Sequence, residues 1–172
     1  MKWLGGLAFA FYAAHGVHYF RVHQLDCMLW ACHLSCLAIG IGLVARWASA
    51  VAAGVLWLSI GLPFWIYYLC AGGEFLPTSI LTHVGGLVVG GLGIRKLGWP
   101  RHSWWKAALA LVPLHLLCRI VTTPKENVNL AFRIWPGWEK YFPSHFVYLV
   151  GVLVLCAAVF LSVETGVRKG LS

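Results

Sequence analysis

The sequence predicts an all-α, polytopic transmembrane helix bundle of six spans, five strongly apolar and the N-terminal one weaker, plus a short interfacial amphipathic helix. Three observations carry that expectation. Of 172 residues, 60% are hydrophobic and only 10% charged, where a soluble domain has roughly 25% charged residues; mean hydropathy is +0.79. The apolar residues fall in runs close to the ~20 that a helix needs to cross a ~30 Å hydrocarbon layer. Nowhere do these runs alternate apolar with polar residues, as barrel strands would, so helices are left to satisfy the backbone in lipid.

The spans read 3–20, 27–45, 49–71, 76–94, 105–121 and 145–163, within one membrane domain over 1–172. His15 and His18 interrupt the first, which is read as a retained helix; an interfacial segment and a signal sequence are the alternatives, because Met1-Lys2 precedes an apolar stretch. The remaining five are each long enough to cross. Pro63 and Pro113 fall inside apolar runs and mark kinks, and Ser144 is placed to cap the last helix. All connections are short except 122–143.

A formal charge of +8 is a feature of nucleic-acid binders. Here the basic residues stand thinly spread at the ends of apolar runs, where membrane topology puts them, so nucleic acid is not an expected partner. One side receives Lys2, Arg46, Arg95, Lys96, Arg101, Lys106, Arg168 and Lys169; the other receives Arg21, Arg119, Lys125, Arg133 and Lys140. That split places both termini in the cytoplasm and the 122–143 connection outside. The six cysteines form no C-x-x-C pair and read as packing residues.

On this topology, seven of the eight histidines lie toward the outer side. His33, His83 and His115 each sit ~9–10 Å inside their helices at 1.5 Å per residue, which predicts an outward-facing polar layer. On the second span, Asp26, Trp30 and His33 are spaced i, i+4, i+7 on one face. There the acid can orient and charge the imidazole; the alternative is an interfacial Asp and an interhelical His. In LTHVGGLVVGGLG, Thr82, Gly86, Gly90 and Gly93 form a small-residue stripe for close helix approach, with His83 beside it. Arg119, one turn beyond His115, either snorkels to the interface or turns inward to hold a carboxylate, phosphate or headgroup.

Thr123-Pro124-Lys125-Glu126 fits a capping box. Apolar Val128, Ala131, Phe132 and Trp135 follow at helical spacing, predicting an amphipathic helix over 124–135 on the outer surface. Asn127 then points toward the bundle and Asn129 away from it; in an extended segment the two would share a face.

These elements resemble a group of bacterial multi-pass membrane proteins without assigned function. The likeness covers roughly residues 24 to 150. It rests on Asp26-x3-Trp30-x2-His33, on His83, on Arg95-Lys96-Leu97-Gly98-Trp99 and on Pro124-x-x-Asn127-x-Asn129-x-x-Phe132. More distantly the chain is similar to the YwaF-like integral membrane family, whose members carry a His-x-Cys-Asp element, a second intramembrane histidine and an Asn-x-Asn stretch. That likeness implies lipid acyl transfer. Here Ser35-Cys36 stands where that family has Cys-Asp, a shift of one position, or about 100° around a helix.

The expected function is binding of a lipid or small amphiphile in an outward-open pocket of the bacterial inner (cell) membrane. His33, His83, Arg119 and Asn127 line that pocket, with Asp26, Trp30 and Asn129 as further binding candidates. A lipid-acting acyltransferase or hydrolase is the enzymatic alternative, with His33 or His83 as general base and Cys36, Thr78, Ser79 or water as nucleophile. A metal or haem site built from His33, His83 and His115, with Cys36 or Cys118, is another, although no helix presents a His-x3-His ligand pair. A structural or accessory protein without a site is the last. No cofactor is expected; membrane lipids are the expected partners, and homo-oligomerisation is left open.

Overall fold

The computed structural model describes residues 1–170, and among these there is no strand. Six helices form the bundle: α1 Lys2–Arg21, α2 Ala31–Val44, α3 Ala48–Cys70, α4 Pro77–Leu97, α5 Ser103–Val121 and α6 His145–Gly170. Helices α3 to α6 are each long and apolar enough to cross a membrane, and the chain is a membrane protein. Pro63 and Pro113 lie inside α3 and α5, and the Ser144 hydroxyl accepts from the Val147 N–H in the first turn of α6.

The N-terminal helix is the weak one, as expected, and the second differs from the expectation. Helix α1 has the length of a span but not the apolarity. Helix α2 has 14 residues, about 21 Å of rise, because residues Leu25–Leu29 form a separate 3-10 turn. Trp30, with φ −55° and ψ 134°, breaks the chain direction between the turn and the helix. Asp26 and Trp30 therefore do not share a helix face with His33.

Helix α3 belongs to two cores at once. On one side Val51, Ala52, Val55 and Leu58 pack with Leu4 and Ala8 of α1, Ile39 and Leu43 of α2, and Val89 and Ile94 of α4. On the other side Leu56 packs with Ala107 and Ala108 of α5 and with Cys156 and Phe160 of α6. The Trp57 indole N–H donates to the Ala107 carbonyl at 3.0 Å, tying α3 to α5.

The small-residue stripe on α4 packs as its spacing predicts. A Cβ at Gly86 would meet the Cys36 sulfur at 2.8 Å, and one at Gly90 or Gly93 would meet Val55 or Leu43 at 2.6 Å. The closest approach onto backbone is at Gly54 of α3, where a Cβ would lie 2.7 Å from the Ser35 carbonyl oxygen. A carbonyl of a buried helix cannot yield as a side chain does, so Gly54→Ala is expected to cost about 1–3 kcal/mol. Thermal unfolding in detergent checks this against Gly6→Ala, whose Cβ would meet nothing within 4 Å and which should unfold like the parent.

At the end of the bundle opposite the 122–143 loop, buried Glu164 of α6 reaches the start of α5. Its two carboxylate oxygens accept from the backbone N–H groups of His102 at 2.8 Å and Trp104 at 2.9 Å. Arg168, one turn on, lies 3.8 Å from the same carboxylate. The carboxylate thus satisfies first-turn donors that a helix leaves bare and complements their positive dipole end.

Candidate functional site: a cavity walled by histidines

On the loop side of the bundle, α5 and α6 stand away from α1, α2 and α4 and leave a cavity of about 880 Å³. All six helices and the 122–143 loop line it, mostly with apolar side chains such as Trp57, Phe64, Leu111, Leu149 and Leu153. Its polar groups include a histidine wall, the loop asparagines, Gln24, Tyr68 and the charged residues Glu74, Arg119, Glu126 and Arg133.

The histidine wall comes from three helices. His33 of α2 has its Nδ1 2.8 Å from the Cys27 carbonyl; a carbonyl only accepts, so Nδ1–H is the donor and Nε2 carries the lone pair. The His33 Nε2 faces the His15 Nε2 of α1 at 3.1 Å, and the His15 Nδ1 lies 2.7 Å from the Thr78 hydroxyl. With both rings neutral, Thr78 donates to His15 and His15 donates to His33. His83 of α4 donates from Nδ1 to the Ser79 carbonyl at 2.9 Å, stacks on Trp65 with ring centres 4.9 Å apart, and lies edge-on to His33 at 5.7 Å. All three imidazoles are at most 4% exposed. His83 sits on a π-helical turn, Leu81–Gly85, a distortion that recurs at functional sites; the consecutive residues Thr82 and His83 are both buried there.

His33 and His83 are thus brought together as expected, whereas His115 is not with them. Its Nδ1–H donates to the Asn129 carbonyl at 3.3 Å, and its ring lies 6.5 Å from that of His145, whose Nε2–H donates to the Leu130 carbonyl. Equal depth in three helices does not mean convergence, because the rings point to different sides of the cavity. His15 was missed as a site residue. Its one signal was a histidine deep inside an apolar run, which in a membrane must face protein. Asp26 does not orient His33: its carboxylate accepts the Thr123 N–H at 2.7 Å. Of the nucleophile candidates, Cys36 is fully buried against the Thr82 carbonyl, and the Ser79 hydroxyl is bonded to the Leu76 carbonyl.

The expected amphipathic helix over 124–135 is absent; the segment is a loop with a single 3-10 turn, Val128–Leu130. Asn127, Asn129 and Leu130 adopt positive φ of 46°, 51° and 61°, a region that asparagine enters more readily than most residues. The capping box is not made, since the Thr123 N–H goes to Asp26 and Glu126 turns to Lys125 at 3.7 Å. Side chain–backbone bonds have won over helix formation. Neither asparagine points to solvent. Asn127 accepts from the Phe132 and Arg133 N–H groups at 3.0 Å each and donates to the Arg133 carbonyl. Asn129 accepts from the Ala31 N–H at 2.9 Å and donates to the Leu29 carbonyl at 2.7 Å and to the Cys118 sulfur. It therefore caps α2 from across the bundle.

Arg119 turns toward the loop, donating to the Ala131 carbonyl at 2.8 Å, with its guanidinium 5.9 Å over the Phe132 ring. Val128 and Ala131 complete the anchor, buried against Leu114 and Cys118 of α5, with Trp30 packed beside them. Asp26, Asn127, Asn129 and His115 thus spend their polar atoms on holding this wall. Compared with known proteins, the chain matches no family model, no curated protein and no solved structure.

Proposed function

We propose that the protein binds a lipid or small amphiphile in the cavity between α3, α5 and α6. The observation that carries this reading is the cavity's size and lining: about 880 Å³, within the range of small-molecule sites, apolar along α3 and α6 and polar at the histidine wall. An acyl or other apolar moiety fits against Phe64, Leu149 and Leu153, and a polar head against His83 or Arg119. His83 suits the head best, because its Nδ1 is already bonded and its Nε2 lone pair is left to accept a hydrogen bond from a ligand. The eight-to-five split of Lys and Arg supports cytoplasmic termini and a cavity that faces outward, with α1 and α2 completing six crossings. Resemblance to bacterial multi-pass proteins supports the inner membrane as its location.

Filling the cavity tests the reading. Leu149→Trp combined with Leu153→Trp is expected to lower the amphiphile retained through purification by about tenfold, a loss of ~1.4 kcal/mol in binding. Mass spectrometry of the purified protein measures it, with thermal unfolding recorded in parallel. Equal retention by the filled and parent proteins, at equal stability, would end the proposal.

A further inference from the structure

We propose that His15, His33, His83 and Cys32 form a binding site for a soft or borderline transition ion, Cu⁺ or Zn²⁺, in the wall of the cavity. This goes beyond the amphiphile reading and shares one atom with it: with the ion on the His83 Nε2, the polar head of an amphiphile falls to Arg119.

Spacing is the first argument. One ligand atom from each of Cys32, His33 and His83 lies within 4.8 Å of the other two, and the His15 Nε2 is 3.1 Å from the His33 Nε2. Around a tetrahedral ion with metal–nitrogen bonds of 2.0–2.1 Å and metal–sulfur bonds of 2.3 Å, neighbouring ligand atoms stand about 3.3–3.6 Å apart. The His15–His33 pair is already near that spacing. Cys32, His33 and His83, within 4.8 Å of one another, close on it by shifts of about 1 Å, within reach of side-chain rotation, and His15 joins the set through its contact with His33.

The second argument is how the rings are held. Every one of the three has its Nδ1 engaged: His33 by the Cys27 carbonyl, His83 by the Ser79 carbonyl and His15 by the Thr78 hydroxyl. A backbone carbonyl on the rear nitrogen fixes the Nδ1–H tautomer and leaves Nε2 as the electron-pair donor, as in metal-ligating histidines. Thr78 serves both states of His15. While it donates to Nδ1, the His15 proton sits on Nε2 and bridges to His33. When the hydroxyl turns to accept, that proton moves to Nδ1 and Nε2 is freed to ligate. The Cys32 thiol proton leaves to solvent as its sulfur binds, and no electron is transferred.

Charge selects the ion. Three neutral imidazoles and one thiolate leave no net charge with Cu⁺ and one positive charge with Zn²⁺. Net charge on buried side chains is costly, and thiolate with imidazole suits a soft ion, so Cu⁺ is the better match. Gly61 of α3 gives Cys32 its place, since a Cβ there would lie 2.6 Å from the Cys32 Cβ.

The test uses the full-length protein in detergent, stripped with a chelator and then titrated in parallel with Cu⁺ under reductant and with Zn²⁺. One equivalent of metal should survive gel filtration, with Cu⁺ held more tightly than Zn²⁺. His83→Asn and Cys32→Ser should lose it, and His115→Asn, in the separate pair with His145, should keep it. Cys32→Ser leaves the three imidazoles and their partners in place, so it decides the matter if His83→Asn proves unstable. A second readout is Co²⁺ substitution, in which the sulfur-to-cobalt absorption should vanish in Cys32→Ser. No stoichiometric metal in the parent protein, or equal retention in Cys32→Ser and His115→Asn, overturns the site. Tight Zn²⁺ without Cu⁺ overturns the charge argument and upholds the ligand set.

Discussion

Asn129→Ala is expected to lower the unfolding temperature in detergent by on the order of 10 °C, given 2–4 °C per kcal/mol for a chain of this size. Three losses add up. The cap on the Ala31 N–H disappears, worth about 0.5–2 kcal/mol. The Leu29 carbonyl is left without its 2.7 Å donor, worth about 1–3 kcal/mol when buried. Alanine must also hold a φ of 51°, which costs about 1–2 kcal/mol. Two variants separate these terms. Asn129→Gly removes the bonds but tolerates the backbone, so it should recover only part of the stability. Asn129→Asp keeps the acceptor toward Ala31 and loses the donors toward Leu29 and Cys118. An alanine variant as stable as the parent would show that the loop does not depend on this side chain. Asn127→Ala should also be damaging, since it removes three bonds within the loop. The two asparagines are therefore expected to matter comparably, and not with Asn127 dominant as a surface helix would require.

Glu164→Ala should be the second large effect, at about 3 kcal/mol. Two backbone donors at the start of α5 lose a carboxylate, and hydrogen bonds to charged groups are worth about 1.5–3 kcal/mol each, offset in part by water reaching the freed amides. Glu164→Gln keeps one carbonyl acceptor but loses the charge that faces the helix dipole and Arg168, so it should fall between Ala and the parent. Thermal unfolding of the three proteins checks the order. If Gln and Ala were both as stable as the parent, the carboxylate would be a bystander.

Helix existence and the α4 packing stripe were legible in the sequence because hydropathy and residue size report directly on them. Gly86, Gly90 and Gly93 face α2 and α3 where their spacing puts them. The Asn127–Asn129 segment was misread because its apolar residues do fall at helical spacing; nothing local reveals that Asp26 and Ala31, about a hundred residues earlier, claim its polar groups. His33 and His83 were legible as intramembrane histidines. Their partner His15 was not, since its weight comes from a tertiary contact to α2 and its own helix reads as weakly apolar. Glu164 escaped notice for the same reason: one acid near the end of a helix looks like a surface charge until the start of α5 is seen to rest on it.

Those long-range caps set an order of events during synthesis. When α2 leaves the ribosome, its Ala31 N–H has no side-chain acceptor, and the one it finally uses lies 98 residues further along the chain. The amide of His102 likewise waits for an acid 62 residues later. Both helix starts therefore acquire these side-chain acceptors only once the C-terminal third of the protein has been made, and a chain cut short before Asn129 leaves the Ala31 N–H without this partner.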